Sequence, residues 1–298
     1  MAETILVTGA TGTVGSEVVR QLLTAKVERG YEDMIVKAAA RSANDNTFSN
    51  LGVQAVQLDY NNPDTLSTAL RGVDKLFLLT PFQSNMVDLT SNLVNEAKKA
   101  GVKYIVKQSV LGADDAEQAI TPSRLHRQAE KVIEESGIPF TFLRPNFFMQ
   151  NFVTFYSNFI KTQGAFYVPA GDAKASFVDV RDIAAVAVQA LGKNDESKHI
   201  GKAYDITGAE ALSYGEAAEI LSKELAKKVN YVNISDEDAR KGMKDMGADE
   251  WTINSMIELF GITRAGYLSE ISPAVEEITG NKPITFSQFA RDYAGAFK

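Results

Sequence analysis

Short apolar runs separated by helix-patterned stretches set the rhythm of the first half of this chain. Runs rich in β-formers at Thr4–Thr8, Met34–Ala40, Gln54–Leu58, Lys75–Leu79, Tyr104–Lys107 and Phe140–Arg144 predict strands. Their alternation with helical patterns predicts a parallel sheet wound with crossover helices. Local chemistry marks the helix ends. Asn62-Pro63 and Thr121-Pro122 each set a capping side chain before a proline at the first helical position, where a missing N–H costs nothing. Gly101 and Gly137 predict the matching C-termini. From Phe147 the alternation loosens. It returns as a strand-helix unit at Ser176–Leu191 and a strand at Ala203–Ile206, after which the chain reads as mainly helical. Ser213-Tyr214-Gly215-Glu216 has the form of a capping box opening a helix to Ala226. The expected fold class is α/β, a Rossmann-type doubly wound parallel sheet with a smaller, mainly helical C-terminal substrate lobe. The sheet domain is expected over residues 1–146 plus 176–208 and the lobe over 147–175 plus 209–298. A cleft between them, at the carboxyl ends of the strands, is the expected binding site.

Composition narrows the picture. With 298 residues, 45% of them hydrophobic, the chain can bury a large core. No stretch reaches the apolar length of a membrane span and no basic-then-apolar leader precedes the first strand, so a cytoplasmic protein without membrane partners is expected. The absence of cysteine excludes disulfides, thiolate metal sites and thiol catalysis. His126 and His199 are the only histidines, too few for a histidine-rich metal site, so no metal is expected. A net charge of −7 without clustered Lys and Arg argues against a nucleic-acid surface. A homodimer is left open.

The strongest chemical signal lies at the start. Thr8-Gly9-Ala10-Thr11-Gly12-Thr13-Val14-Gly15 follows the apolar Ile5-Leu6-Val7 and precedes a helix-like stretch, Val14 to Lys26. A strand, a glycine-rich turn and a helix N-terminus in that order form a pyrophosphate site. Gly9 permits the tight turn, Gly12 lets the backbone approach, and Gly15 allows close helix-strand packing. Thr11, Thr13 and Val14 complete the segment, and the amides of the first helical turn face the anion. At the end of the second strand, Ala38-Ala39-Ala40-Arg41-Ser42 carries no carboxylate of the kind that receives the ribose hydroxyls of NAD. Arg41 offers a planar fork matched to phosphate, with Ser42 beside it, which points to NADP(H). The plainer reading of Arg41 is a solvated loop residue. Asp59, closing the third strand, is placed either to meet the adenine or to shape a turn.

Together with Leu79-Thr80-Pro81, the segment His126 to Lys131, Leu143-Arg144-Pro145-Asn146-Phe147-Phe148 and the run Phe177 to Ala184, these motifs span nearly the whole chain. The chain resembles the atypical short-chain dehydrogenases of the NmrA-like group. That group includes NADPH-dependent quinone reductases, triphenylmethane dye reductases and NADP-sensing regulators. The resemblance implies that Thr80 and Pro81 line the nicotinamide-ribose end, and that Pro145 with Asn146 sits over the nicotinamide. It also implies that His126 bonds the ribose; the alternative is a boundary histidine paired with Glu130 across one helical turn. The run Asp179–Ala184 reads as structural.

One departure bears on mechanism. The wider short-chain dehydrogenases use Tyr-x-x-x-Lys on a helix as proton donor. Here His126 falls on the lysine place and Pro122 on the tyrosine place, so the usual general acid, typically contributing about 10²–10⁴-fold, is absent. Ser109 corresponds approximately to the family's catalytic serine, and without the tyrosine it is left to orient substrate or to serve as a plain strand-end hydroxyl. That loss matters least for acceptors that stabilise their own reduced form, such as a quinone or a cationic dye. Between Phe147 and Phe159 the chain is dense in aromatics, with Phe148, Phe152, Phe155 and Phe159 at helical spacing predicting one core-facing stripe. Phe147 or Phe148 could instead wall the nicotinamide pocket and stack on a planar acceptor. Two functions are therefore expected to compete. One is an NADPH-dependent reductase of quinones or other flat conjugated acceptors. The other is an NADP-binding redox sensor acting through a protein partner. A nucleotide-sugar epimerase is disfavoured by the missing tyrosine.

Overall fold

The computed structural model describes residues 2–28, 30, 33–42, 48, 53–115, 120–192 and 196–298. Its first half is built from β1 (Glu3–Val7), α1 (Thr13–Glu28), β2 (Met34–Ala40), β3 (Gln54–Gln57), α2 (Pro63–Leu70), β4 (Lys75–Leu78), α3 (Met86–Ala100), β5 (Tyr104–Gln108), α4 (Thr121–Ser136) and β6 (Phe140–Pro145). Each of these strands lies within one residue of its predicted bounds. They join β9 (Lys202–Ile206) in one sheet of order β3-β2-β1-β4-β5-β6-β9, with the pairs from β3 through β6 parallel. The reversal of direction at β1 is what a doubly wound sheet requires.

Period two explains how the strands sit. Leu6, Leu76, Leu78, Ile105 and Phe142 point to one face of the sheet, where they pack with Leu66 and Leu70 of α2, Leu93 and Val94 of α3 and Ile133 of α4. Ile5 and Val7 of β1 alternate to the other face and are equally buried. Helix ends follow their chemistry. Asn62 accepts from the Asp64 amide with Pro63 opening α2, and Gly101 closes α3 in the left-handed region at φ 79°. At α4 the helix begins at Thr121, so Pro122 occupies its second residue rather than the first.

The later elements are a π-turn (Phe152–Tyr156), α5 (Ser157–Gln163), β7 (Ala165–Val168), β8 (Lys174–Ala175), α6 (Val180–Leu191), α7 (Glu196–His199), β10 (Leu212–Ser213), α8 (Tyr214–Leu225), β11 (Asn230–Asn233), α9 (Asp236–Asp245), α10 (Glu250–Arg264), α11 (Ala274–Thr279) and α12 (Phe286–Asp292). Two small sheets accompany the helices, β7 parallel to β11 and β8 antiparallel to β10. Val178 joins Phe148 through a single bridge, so the strand expected to open at Ser176 reduces to that contact. The Ser213 capping box forms as expected, its hydroxyl accepting from the Glu216 amide while Glu216 accepts from the Ser213 amide.

The aromatic segment departs from its predicted stripe. Phe152 is buried and meets Phe166, Phe177 and Phe286 edge-on at 4.9–5.5 Å between ring centres, whereas Phe155 is 56% exposed. The π-turn is the cause. It lengthens each turn by a residue, so Tyr156 rather than Phe155 returns to the face of Phe152.

The chain divides into two compact units. One comprises Met1–Val110, Leu125–Arg144 and Ile183–Tyr204; the other comprises Leu111–Arg124, Pro145–Asp182 and Asp205–Lys298. Residues 111–124, 145–146, 176–182 and 205–208, expected with the sheet, group with the second unit. No described helix is long and apolar enough to cross a membrane, and no cluster of three or more metal-ligating side chains occurs among the described residues.

Candidate functional site

The turn after β1 is pinned from below. The Thr8 hydroxyl donates to the Phe77 and Leu79 carbonyls at 3.1 Å and accepts from the Leu79 amide at 2.7 Å, fastening the turn to the end of β4. Gly9 lies in the left-handed region at φ 61°, which glycine adopts without steric cost. The Gly12 amide then closes the turn onto the Gly9 carbonyl at 2.9 Å. A Cβ on Gly15 would come within 2.2 Å of that same carbonyl oxygen. No side chain fits there, so α1 packs closely on the turn that follows β1. Thr11, Gly12 and Thr13 face solvent, Val14 is buried, and the first turn of α1 carries no acidic residue to repel an anion. These features fit a bound dinucleotide phosphate.

Arg41 and Ser42 leave the end of β2, the strand beside β1, and both are exposed; the Arg41 carbonyl accepts from Gln57 Nε2 at 3.3 Å. Asp59 is engaged in a local turn, its Oδ1 accepting from the Asn61 amide at 2.9 Å. Thr80 is buried with its hydroxyl 3.0 Å from that of Thr90, and Pro81 beside it is half-buried.

Past β4, the carboxyl end of β5 meets α4 in a polar cluster. Lys107 and Ser109, two residues apart, share a strand face; His126 and Glu130, four apart, share a helix face. Two rungs result. Lys107 Nζ lies 3.2 Å from His126 Nδ1, and the Ser109 hydroxyl donates to Glu130 Oε1 at 2.6 Å. Glu130 is fully buried and also accepts a bidentate pair from Arg144 of β6, at 3.0 and 2.8 Å, and a bond from Arg127 at 3.0 Å. The alternative pairing of His126 with Glu130 does not form, because the carboxylate is taken by two guanidinium groups and a hydroxyl while the imidazole turns to Lys107. The His126 ring is half-buried and lies nearly parallel to Phe82 at 6.4 Å. Burial, then the charge of Lys107, holds His126 well below its ordinary range; burial likewise pulls Lys107 down to about 7.

Lys107, Glu130 and Arg144 were not singled out as site residues from the sequence. The available signal was a charged residue within an apolar strand, in Tyr104-Ile105-Val106-Lys107 and Thr141-Phe142-Leu143-Arg144, since a buried charge must find partners.

In the second unit, Pro145 and Asn146 are buried. Asn146 Nδ2 donates to Ser176 Oγ and the Leu268 carbonyl, each at 2.8 Å, and its Oδ1 accepts from the Phe147 amide. Phe147 and Phe148 are half-buried, Phe147 lying 6.3 Å from Phe177 and 6.5 Å from Phe260. This unit also holds a pocket of about 270 Å³ lined by Leu111, Tyr267 and Ile271 together with Asp114, Asp205 and Glu270.

A doubly wound sheet with a phosphate-ready glycine turn after its first strand defines a dinucleotide-binding α/β protein. The chain belongs to the NmrA-like family, which it matches over residues 1–290. It is 40% identical to an NAD(P)H azoreductase of Xenophilus azovorans, covering 98% of this chain and 99% of that protein. Among solved structures it is similar to the NADPH-dependent quinone oxidoreductase QOR2 of Escherichia coli complexed with NADPH, at TM-score 0.83 and 27% identity over 97% of this chain and 99% of the other. It is also similar to the triphenylmethane reductase of Citrobacter sp. complexed with NADP(H), at TM-score 0.82 and 26% identity over 98% and 99%.

Proposed function

We propose that this chain is an NADPH-dependent reductase that passes hydride to a flat conjugated acceptor, an azo compound, quinone or dye, without a tyrosine proton donor. The observation that carries the reading is the exposed Thr11–Thr13 turn seated on Gly15, with Arg41 on the neighbouring strand, in a chain 40% identical to an NAD(P)H azoreductase. Similarity to an enzyme over the whole length favours turnover over the sensing module.

NADPH, when bound, supplies the hydride; the remaining work falls to the chain. The amides of the Thr11–Val14 segment and the α1 N-terminus would hold the pyrophosphate. Arg41 and Ser42 would take the 2′-phosphate. Thr80, Pro81 and His126 would serve the nicotinamide-ribose end, and Pro145 would serve the nicotinamide. Phe147 and Phe148 offer apolar faces to the acceptor, with Asn146 and Ser109 as supports whose hydrogen bonds hold the surrounding backbone and Glu130. Pro122, where the wider pattern has its tyrosine, has no proton to give. Rate then comes mainly from holding the acceptor in register, an orientation effect.

Purified protein should oxidise NADPH with azo compounds, quinones or cationic dyes, and far more slowly with NADH or with aliphatic aldehydes and ketones. Equal use of both coenzymes, or good rates with simple carbonyls, would overturn the reading.

A further inference from the structure

The two rungs between β5 and α4 are not equivalent. Glu130, on the lower one, is saturated by Ser109, Arg144 and Arg127. Lys107, on the upper one, is fully buried, and its ammonium has three hydrogens to place. Among the described residues its partners are the Gln108 carbonyl at 2.7 Å and His126 Nδ1 at 3.2 Å, both uncharged. Glu130, the carboxylate whose charge acts on it, is shared by two arginines. Burying an ammonium whose carboxylate is already shared is costly, and a methionine would fill the same space without that cost.

The position of the pair gives it a direction. When Lys107 is protonated, Nδ1 of His126, 3.2 Å away, accepts from it and the imidazole proton resides on Nε2, which makes that nitrogen a donor. His126 is half-buried and lies along Phe82, three residues beyond Leu79, which is bonded to the Thr8 turn. Lys107 is closed off behind it. The ring therefore stands at the carboxyl ends of β4 and β5, where ligands of open α/β sheets bind, with a protonated amine at its back.

We propose that Lys107 supplies, through His126, the proton that completes reduction of flat azo acceptors. This rests on the reductase reading. Hydride from NADPH adds to one nitrogen of the azo bond and leaves an electron pair on the other. The Nε2–H bond of His126 breaks as the new N–H bond forms, Nδ1 takes a proton from Lys107 Nζ, and the neutral amine regains its proton from water. One hydride and one proton convert the azo bond to a hydrazine. A cationic triphenylmethane dye becomes neutral on accepting hydride and needs no proton, so it bypasses the pair. His126 is the catalytic residue in this scheme and Lys107 its positioning and supply residue.

Burial draws the Lys107 ammonium down to about 7, opposed by Glu130 of α4 and reinforced by Arg144 of β6. The acid must be protonated to act, so azo turnover should fall as pH rises through about 7 while dye turnover holds level. Lys107→Met should lower azo turnover about 10²-fold more than dye turnover and abolish the azo-specific pH slope. Lys107→Arg, charged but unable to release its proton, should not rescue it. Independently of activity, ¹⁵N spectra of the imidazoles, assigned with His199→Asn, should show His126 neutral with its proton on Nε2. Equal losses on both acceptors in Lys107→Met, or a proton on Nδ1, would overturn the proposal alone. Wild-type protein inert to both acceptors would overturn the reductase reading and this proposal with it.

Discussion

Gly15 shows how narrowly one residue can be constrained. Its missing side chain lets the Gly9 carbonyl lie where a Cβ would stand, at 2.2 Å, so Gly15→Ala must push α1 away from the turn. The expected cost is about 1–3 kcal/mol in urea unfolding, as for other overpacked sites, accompanied by loss of coenzyme affinity. Unchanged stability and binding would show that the turn tolerates displacement. This residue was legible from sequence because its role is a backbone requirement that glycine alone meets. Lys107 was not singled out, because a strand is recognised by its apolar members and a single lysine among them is ambiguous. Its meaning depends on α4 bringing His126 to within 3.2 Å, a contact between residues 19 apart in sequence. Asp59 and Arg41 illustrate two outcomes of one kind of reading. Asp59 has its carboxylate drawn into a turn by the Asn61 amide, while Arg41 keeps an exposed side chain at the strand end.

Elements were legible in proportion to how local their causes are. The strands of the main sheet followed from short apolar runs, and the capping box at α8 followed from four adjacent residues. Ser213→Ala should therefore cost about 1 kcal/mol, read from a shift in the denaturant midpoint with little change in slope. A neutral result would mean that the β8–β10 pairing already fixes the helix start without the hydroxyl. The aromatic segment is the counterexample. Spacing of three and four residues predicts one face only on a regular α-helix, and the π-turn at Phe152–Tyr156 breaks that premise. Phe155 is consequently exposed and Tyr156 stacks on Phe166 at 5.5 Å. Nothing in the sequence period announces the extra residue per turn, since it is selected by the packing of Phe152 among Phe166, Phe177 and Phe286.

For the whole molecule, alternation of strands and helices specified the doubly wound sheet, and the glycine turn specified what its first connection can hold. The division into units was less visible. Residues 111–124 follow directly from a sheet strand and carry no composition shift, yet they group with the second unit, where Thr121 bonds Glu258 through both its amide and its hydroxyl. The central claim is that this chain grips a nicotinamide dinucleotide through the Thr11–Val14 turn and chooses the phosphorylated form through Arg41. Calorimetric titration of the wild type and Arg41→Ala with NADPH and NADH measures both parts at once. The account predicts that the wild type binds NADPH at least ~10-fold tighter, about 1.4 kcal/mol, and that the variant loses this preference while its NADH affinity holds. Equal affinity of the wild type for the two coenzymes, or a parallel loss of both in the variant, would contradict it.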